Sequence, residues 1–446
     1  MPSILADSLV FGPLFSTEEM KKVFSDENRV QKWLDTEAAL AKVQGKLGMI
    51  PQEAADEINR KADAKLLNIA SIGEFYKSSI TIVPLLKAFK EVLDNNAGEY
   101  AHWGTTSQDI VDTGLILQIK EAHAIIVNRV NVCIEAAKVL TKKYRDTVMA
   151  GRTHVQHALP ITFGFKVGIM LWELERQAER LQEIKKRLFI GQISGAVGTL
   201  ASMEDKGFQV QEGVFKELDL IQPVISWHPM RDHIAEFINL LALIAGTVAR
   251  INHEVLTMQR TEVGEVEEPF FMGKVGSSTM PHKRNPQVCE NVIALCKKVR
   301  ALAPLAVDCM ITEHERDWGC EIAEWDFVPD ACIALDAALV KTVDLLQHMI
   351  VYPEKMEQNL NKLNGLMLSE SVMINLATRL GRMESHEIVY QSCMEAFEKN
   401  ISMIDIMMAN PAVTKHFSEQ EIRDMLDPAK YVGLAPQFVD RVLNHK

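Results

Sequence analysis

The chain has 446 residues, 47% hydrophobic and 24% charged, with 48 Lys and Arg against 60 Asp and Glu for a net charge of −12. These proportions belong to a globular protein of two or three domains and exclude a disordered, collagen-like or low-complexity chain. The acidic balance argues against a nucleic acid as main ligand, since a phosphate backbone needs clustered positive charge; a small anion held by local donors remains compatible with it.

The N-terminus, Met1 to Asp7, has no basic segment leading into an apolar one, so no secretory signal is expected. No apolar run reaches the roughly 20 residues of a membrane span, and the nearest, Phe237 to Val248, is interrupted by Asn239 and Gly246. Up to about residue 110, Gly45, Gly48-Met49-Ile50-Pro51 and Gly73 punctuate a series of short helices. From Leu115 to Ala150 there is neither Gly nor Pro, and apolar residues recur at Leu115, Ile119, Ile126, Val130, Ile134 and Ala137. That period predicts one helix of about ten turns. Further helices are predicted over Phe165–Ile190, Met230–Val263, Gln287–Ala303 and Ala331–Met349, with short ones from Pro353 onward. Loops are predicted at Gly151–Pro160, Gly191–Gly198, Gly264–Pro286 and Gly319–Pro329, where Gly and Pro cluster.

Strand signals are sparse, so the expected fold is all-α. Three helical domains are expected, over residues 1–110, 111–352 and 353–446, the central one a bundle of long antiparallel helices. The Met230–Val263 segment is apolar on more than one face, which fits either a subunit partner or a fully interior helix. The seven cysteines are odd in number and form no CxxC pair, the pattern of reduced thiols in a cytoplasmic protein.

The richest chemistry lies in Gly276-Ser277-Ser278-Thr279-Met280-Pro281-His282-Lys283-Arg284-Asn285-Pro286, a loop between two long helices. Backbone N–H groups, small hydroxyls, cations and an amide together suit an anion such as a carboxylate, and a long loop inside a bundle is usually functional. This segment resembles the GSSxMPxKxNP signature of the fumarase/aspartase superfamily. Two more segments resemble that family in the same chain order: His102-Trp103-Gly104-Thr105-Thr106-Ser107-Gln108-Asp109 and Gly151-Arg152-Thr153-His154-Val155-Gln156.

The resemblance implies a helical homotetramer whose active sites are shared between subunits, acting on a small dicarboxylate without cofactor or metal. It implies Ser277 as base, Lys283 and Asn285 holding the carboxylate, and His154 as the acid that protonates the leaving group, paired with Glu290. Thr106, Ser107, Gln156, Arg152, Ser278 and Met280 become substrate contacts by the same match, with Trp227 and Trp325 shaping the leaving-group side. Arg231 and Arg316 are further candidates as carboxylate clamps or as structural ion pairs. Asp109 and Asp112 are expected to cap the helix that follows. His154 and His157 are spaced i, i+3, but no third metal-ligand motif accompanies them.

Within the superfamily the chain resembles the branch of adenylosuccinate lyase and 3-carboxy-cis,cis-muconate cycloisomerase. The phosphate-binding segment of adenylosuccinate lyases corresponds to Glu321-Ile322-Ala323-Glu324-Trp325, with Trp325 in place of an Arg, and the early catalytic His has no counterpart in Lys77 to Pro84. The expected activity is therefore β-elimination releasing fumarate from an N-substituted aspartate or related substituted succinate lacking a phosphate. The alternative is a lactonising cycloisomerase; an adenylosuccinate lyase and a catalytically silent helical oligomer rank lower. No nucleic acid or membrane partner is expected.

Overall fold

The structure, a computed structural model, describes residues 4–78 and 81–445. It is 69% helical, which bears out the all-α reading. Long rods dominate: α1 (Asp26–Lys46), α2 (Ser107–Lys143), α3 (Phe163–Glu183), α4 (Asp232–Met258), α5 (Gln287–Asp308) and α6 (Trp318–His348). Among the described residues the sheets are two antiparallel pairs, β1 (Val148–Thr153) with β2 (Gln156–Thr162) and β3 (Val266–Glu267) with β4 (Ile350–Val351).

Three boundaries differ from the sequence reading. The helix expected to reach Ala150 stops at Lys143, and Val148 to Ala150 are strand, paired with Thr162, Ile161 and Pro160. No Gly or Pro marks that change; the hairpin's own pairing over Leu360 and Met367 drives it. Pro304 and Pro329 do not end helices but lie inside α5 and α6. A Pro forfeits one hydrogen bond to the carbonyl four residues back, and at Pro329 the burial of Phe327, Val328, Ala331 and Cys332 around it offsets that loss. α4 is long and apolar enough to cross a membrane by length and composition, and 67% of its most apolar stretch is buried inside the protein.

The chain divides into two compact units, and α2 to α6 each contribute residues to both. The first comprises residues 1–130, 177–249 and 291–340. Its core joins α1 to the N-terminal helices and the start of α2 through Leu34, Leu40, Ile58, Leu85, Phe89 and Ile110. The second comprises residues 131–176, 250–290 and 341–446. It contains both strand pairs and a C-terminal helical cluster cored by Val372, Leu376, Met403, Met407, Val413 and Ile422. All seven cysteines are free thiols.

Candidate active site

In the second unit, β1 and β2 pair up to Thr153 and Gln156, leaving His154 and Val155 as a two-residue turn. Both have positive φ, +50° and +58°, the conformation that a type I′ hairpin turn demands. This puts the His154 ring at an exposed tip beside the exposed Gln156. Gly151 is required lower down, because a Cβ there would sit 2.7 Å from the Leu159 carbonyl oxygen. Arg152 is not a free donor. Its guanidinium forms a two-pronged pair with the buried Glu265 (2.7 and 2.9 Å), which also accepts from Asn359. The expected substrate contact is thereby corrected to a structural ion pair.

The Gly276–Pro286 loop folds back on itself in the same unit. A Cβ on residue 276 would lie 2.6 Å from the Lys283 carbonyl oxygen and 2.9 Å from Arg284 Cα, so only glycine permits the closure. Inside this turn the Ser277 hydroxyl oxygen accepts from the backbone N–H of Met280 at 3.2 Å, with Thr279 N–H at 3.5 Å. Donors aimed at an oxygen favour its anionic form, the direction a serine base requires. The loop's base is tied down by Arg284, paired with Glu267 at 3.0 Å and lying over the Phe270 ring, and by Glu268, which accepts from the first N–H groups of α5. Ser278 and Met280 are exposed. Among the described residues, the side chains of Lys283, Asn285, Glu290 and His154 make no hydrogen bond or ion pair within the chain, so the expected His154–Glu290 pair is not formed inside one subunit.

The first unit presents a contrasting cluster at the start of α2. Asp109 caps the helix as expected by accepting from Thr106 N–H at 3.0 Å, and it also accepts from Ser194 N–H and Gly195 N–H and pairs with His228 Nε2, each at 2.9 Å. Arg316 donates to the Thr106 hydroxyl at 3.1 Å and to the Ala196 carbonyl at 2.8 Å. Ser107, half-buried, opens the helix. Asp112 is no cap: it takes both arms of Arg231 at 2.9 Å, and Arg231 also donates to Glu324. With Arg231 only 2% exposed, its two carboxylates make it a structural ion pair. Trp227 is likewise core, since its indole N–H donates to the Gly191 carbonyl at 2.9 Å and Arg231 covers its ring. Of the two readings offered for Arg231, the structural ion pair is the one formed, while Trp227, expected on the leaving-group side, is packed in the core of this chain. Trp325 is half-buried and lines a cavity of about 320 Å3.

Three groups here escaped the sequence reading. His102 Nδ1 lies 2.7 Å from Glu37, whose carboxylate also accepts the His102 N–H; burial opposes the ring's charge, but Glu37 outweighs it and holds the pKa above the usual value. Its position at the head of the Thr106 segment was a usable signal. Glu321, in the first turn of α6, is pushed up to about 8 by burial and by Asp112, against the pull of Arg231 and Arg316. His233 is forced down to about 3 by burial and by Arg231. Among the described residues no group of three or more His, Cys, Asp or Glu is arranged to hold a metal ion.

Comparisons with known proteins follow these features. Residues 15–301 match a family model described as Lyase, and residues 365–442 match one described as Adenylosuccinate lyase C-terminus. N-acetyl-S-(2-succino)cysteine lyase of Dickeya dadantii is 40% identical, with 100% of this chain and 98% of that protein covered. Adenylosuccinate lyase of Methanocaldococcus jannaschii is 41% identical, covering 96% and 94%. The crystal structure of 3-carboxy-cis,cis-muconate lactonizing enzyme from Pseudomonas putida superposes with a TM-score of 0.94 at 36% identity, covering 98% of each chain.

Proposed function

Since the chain belongs to the fumarase/aspartase superfamily of lyases, in the branch of adenylosuccinate lyase and 3-carboxy-cis,cis-muconate cycloisomerase, we propose that it catalyses reversible β-elimination from a succinate substituted through sulfur or nitrogen, releasing fumarate. The observation that carries this reading is the folded Gly276–Pro286 loop, which feeds backbone N–H groups to Ser277 Oγ while leaving Lys283 and Asn285 unengaged. Ser277 removes the proton beside one carboxylate. The electron pair moves into that carboxylate, where Lys283 and Asn285 stabilise it, and then collapses to the C=C bond as the C–S or C–N bond breaks. His154 gives its proton to the leaving atom. Preorganised donors of this kind supply the largest share of such a rate enhancement.

A substrate without phosphate is supported by Trp325, which stands where adenylosuccinate lyases carry the Arg of their phosphate-binding segment. The Dickeya relative's name specifies a succinylated thiol, which favours sulfur over nitrogen. The protein assembles as a homotetramer with shared sites; exposed Val139, Ile169, Trp172 and Leu243 on the long helices support further burial between subunits. Its free cysteines fit the cytoplasm.

A lactonising cycloisomerase is the second reading, favoured by the Pseudomonas structure. One assay separates them: fumarate is incubated with a panel of thiols, amines and amino acids, and its absorbance followed, with Ser277→Ala alongside. Fumarate loss that requires one nucleophile and disappears in the variant supports the lyase. No loss with any nucleophile removes it, and turnover of 3-carboxy-cis,cis-muconate in the same preparation would then establish the alternative.

A further inference from the structure

Two of the seven cysteines stand together in the first unit. Cys309 is the first residue beyond α5 and Cys320 the third residue of α6, so they bracket residues 310–319. The buried Cys309 thiol and the half-buried Cys320 thiol are hydrogen-bonded to one another, and Cys320 Sγ also reaches the Ile311 carbonyl at 3.9 Å. The other thiols lie elsewhere: Cys133, Cys289, Cys296 and Cys332 are buried within α2, α5 and α6, and Cys393 belongs to the C-terminal cluster. Bringing two touching sulfurs to the ~2.05 Å of a disulfide takes an approach of roughly 1.5–2 Å. The bracketed chain is exposed over most of its length and free to follow.

That chain holds the Thr106 segment. Arg316 donates to the Thr106 hydroxyl at 3.1 Å and to the Ala196 carbonyl at 2.8 Å, and the Thr312 hydroxyl donates to the Pro229 carbonyl at 2.8 Å. Asp317 caps α6 by accepting from Gly319 N–H at 2.9 Å and Cys320 N–H at 3.4 Å. A shift of Cys320 toward Cys309 is therefore carried through Asp317 to its neighbour Arg316. Burial, with Glu324 and other nearby carboxylates, pushes both thiols up, Cys309 to about 11. A reduced pair that cannot settle as thiolate favours the disulfide at equilibrium, the converse of strongly oxidising pairs whose thiolate is stabilised, and it exchanges slowly at neutral pH.

We propose that Cys309 and Cys320 are a redox modification site: a small-molecule disulfide oxidises them to an intramolecular disulfide that draws Arg316 off the Thr106 hydroxyl and slows the enzyme. The Cys320 thiolate attacks one sulfur of the small disulfide RSSR and expels RS−, leaving a mixed disulfide on Cys320. The Cys309 thiolate then attacks Cys320 Sγ and expels the second RS−. The two protons given up by the protein end on the two RS−, and the two electrons it loses reduce RSSR to two RSH. Excess thiol runs the same steps backwards. The disulfide is independent of the reaction catalysed; its effect on rate rests on the proposed fumarate chemistry with Thr106 as a substrate contact.

The test treats the full-length protein with oxidised glutathione at about pH 8.5, where a free thiol is half ionised, then alkylates it and maps it by mass spectrometry without reduction. The expected product is lighter by two hydrogens, with the Cys309 and Cys320 peptides joined, and dithiothreitol reverses it. Cys320→Ser and Cys320→Ala should each abolish the link while keeping the wild-type rate when reduced. Amide hydrogen exchange in the peptide spanning Thr106 should rise on oxidation of the wild type and stay unchanged in both variants. Initial fumarate release from a succinyl adduct, with no free thiol added, should fall at least about tenfold and recover with dithiothreitol, since a 1 Å misplacement can cost about 10²-fold. Glutathione retained on Cys320, links confined to other cysteines, or no link at all would overturn the site. A Cys309–Cys320 link that leaves the exchange at Thr106 unchanged, or the rate of an active enzyme unchanged, would overturn the switch. If the reduced enzyme releases no fumarate, the proposed function falls, and the link and the exchange decide the switch by themselves.

Discussion

At the start of α2 one buried carboxylate, Asp109, receives three backbone N–H groups and a histidine. At the hairpin tip, on the Gly276–Pro286 loop and at the start of α5, by contrast, the side chains of His154, Lys283, Asn285 and Glu290 have no partner among the described residues. Both regions carry motifs of the same family, yet one is saturated and the other unengaged. The difference separates two tasks. Groups that must keep a substrate-binding segment in one shape are buried and fully partnered, because an unmet buried polar atom costs about 1–3 kcal/mol. Groups that must exchange protons or meet a developing charge are left available, since a carboxylate already holding an ammonium would compete with the substrate for it.

The largest effects that would break this contrast are on rate. Ser277→Ala and His154→Asn should each lower kcat by about 10²–10⁴-fold, the usual contribution of a general base or acid. Neither should move the thermal midpoint, as neither side chain is buried. Steady-state rates and a melting curve on the same samples check both halves. A His154→Asn enzyme with full activity would remove the proposed acid from the mechanism.

Asp109→Ala should do the reverse and act first on stability. It strands three backbone N–H groups and the His228 ring, which is itself buried. Removing one partner of a buried pair costs about 3–5 kcal/mol. The measurement is a lowered thermal midpoint together with weaker substrate binding, because Thr106 loses the bond that fixes its backbone. If the midpoint is unchanged, the saturated cluster is not what holds the segment.

How much of this was legible in the sequence follows from where the partners lie. Loops, long helices and the three motifs announce themselves through local spacing, and Ser277, His154 and Lys283 stand out because their motifs are contiguous. The ion pair of Arg152 was not foreseen, and the two readings of Arg231 could not be separated, because their carboxylates are 113 and 119 or 93 residues away, at Glu265, Asp112 and Glu324. Nothing local distinguishes an arginine that clamps a substrate from one that neutralises a buried acid. The β1–β2 hairpin was hidden for the same reason, since Thr147-Val148-Met149 can continue a helix as a pattern and become strand only through Pro160 to Thr162.

The buried cluster should also show itself in acid. His233 is neutral in the fold, its pKa near 3 through burial and Arg231, while the unfolded ring titrates near 6.5. Its contribution is present above about pH 6.5 and is lost as pH falls toward 3, because only the unfolded chain gains the proton. Between pH 6.5 and 5 this amounts to about 1.5–2 kcal/mol. His233→Leu should flatten that part of the stability profile measured by denaturant titration. His102 runs the other way: Glu37 raises its pKa, so its contribution is present below about 6.5 and lost as pH rises through the raised value. His102→Asn should therefore change the alkaline side and not the acid one.

The smallest expected effect sharpens the contrast at the hairpin tip. Val155 is 88% exposed and has φ +58°, so it contributes almost no burial while occupying the left-handed region. For a residue with a Cβ that conformation costs about 1–2 kcal/mol. Val155→Gly relieves it, less about 0.5–1 kcal/mol for the extra freedom glycine brings to the unfolded chain, leaving a net gain of up to about 1.5 kcal/mol. Thermal denaturation would register this as a slightly higher midpoint. The informative readout is kcat on the same variant. If the strained turn serves to hold His154 at its angle, relaxing it should lower kcat severalfold while raising stability, which neither a structural defect nor a silent surface change produces. A higher midpoint with unchanged kcat would mean that the unengaged tip needs only to present its histidine, and that the strain at Val155 has no part in the chemistry.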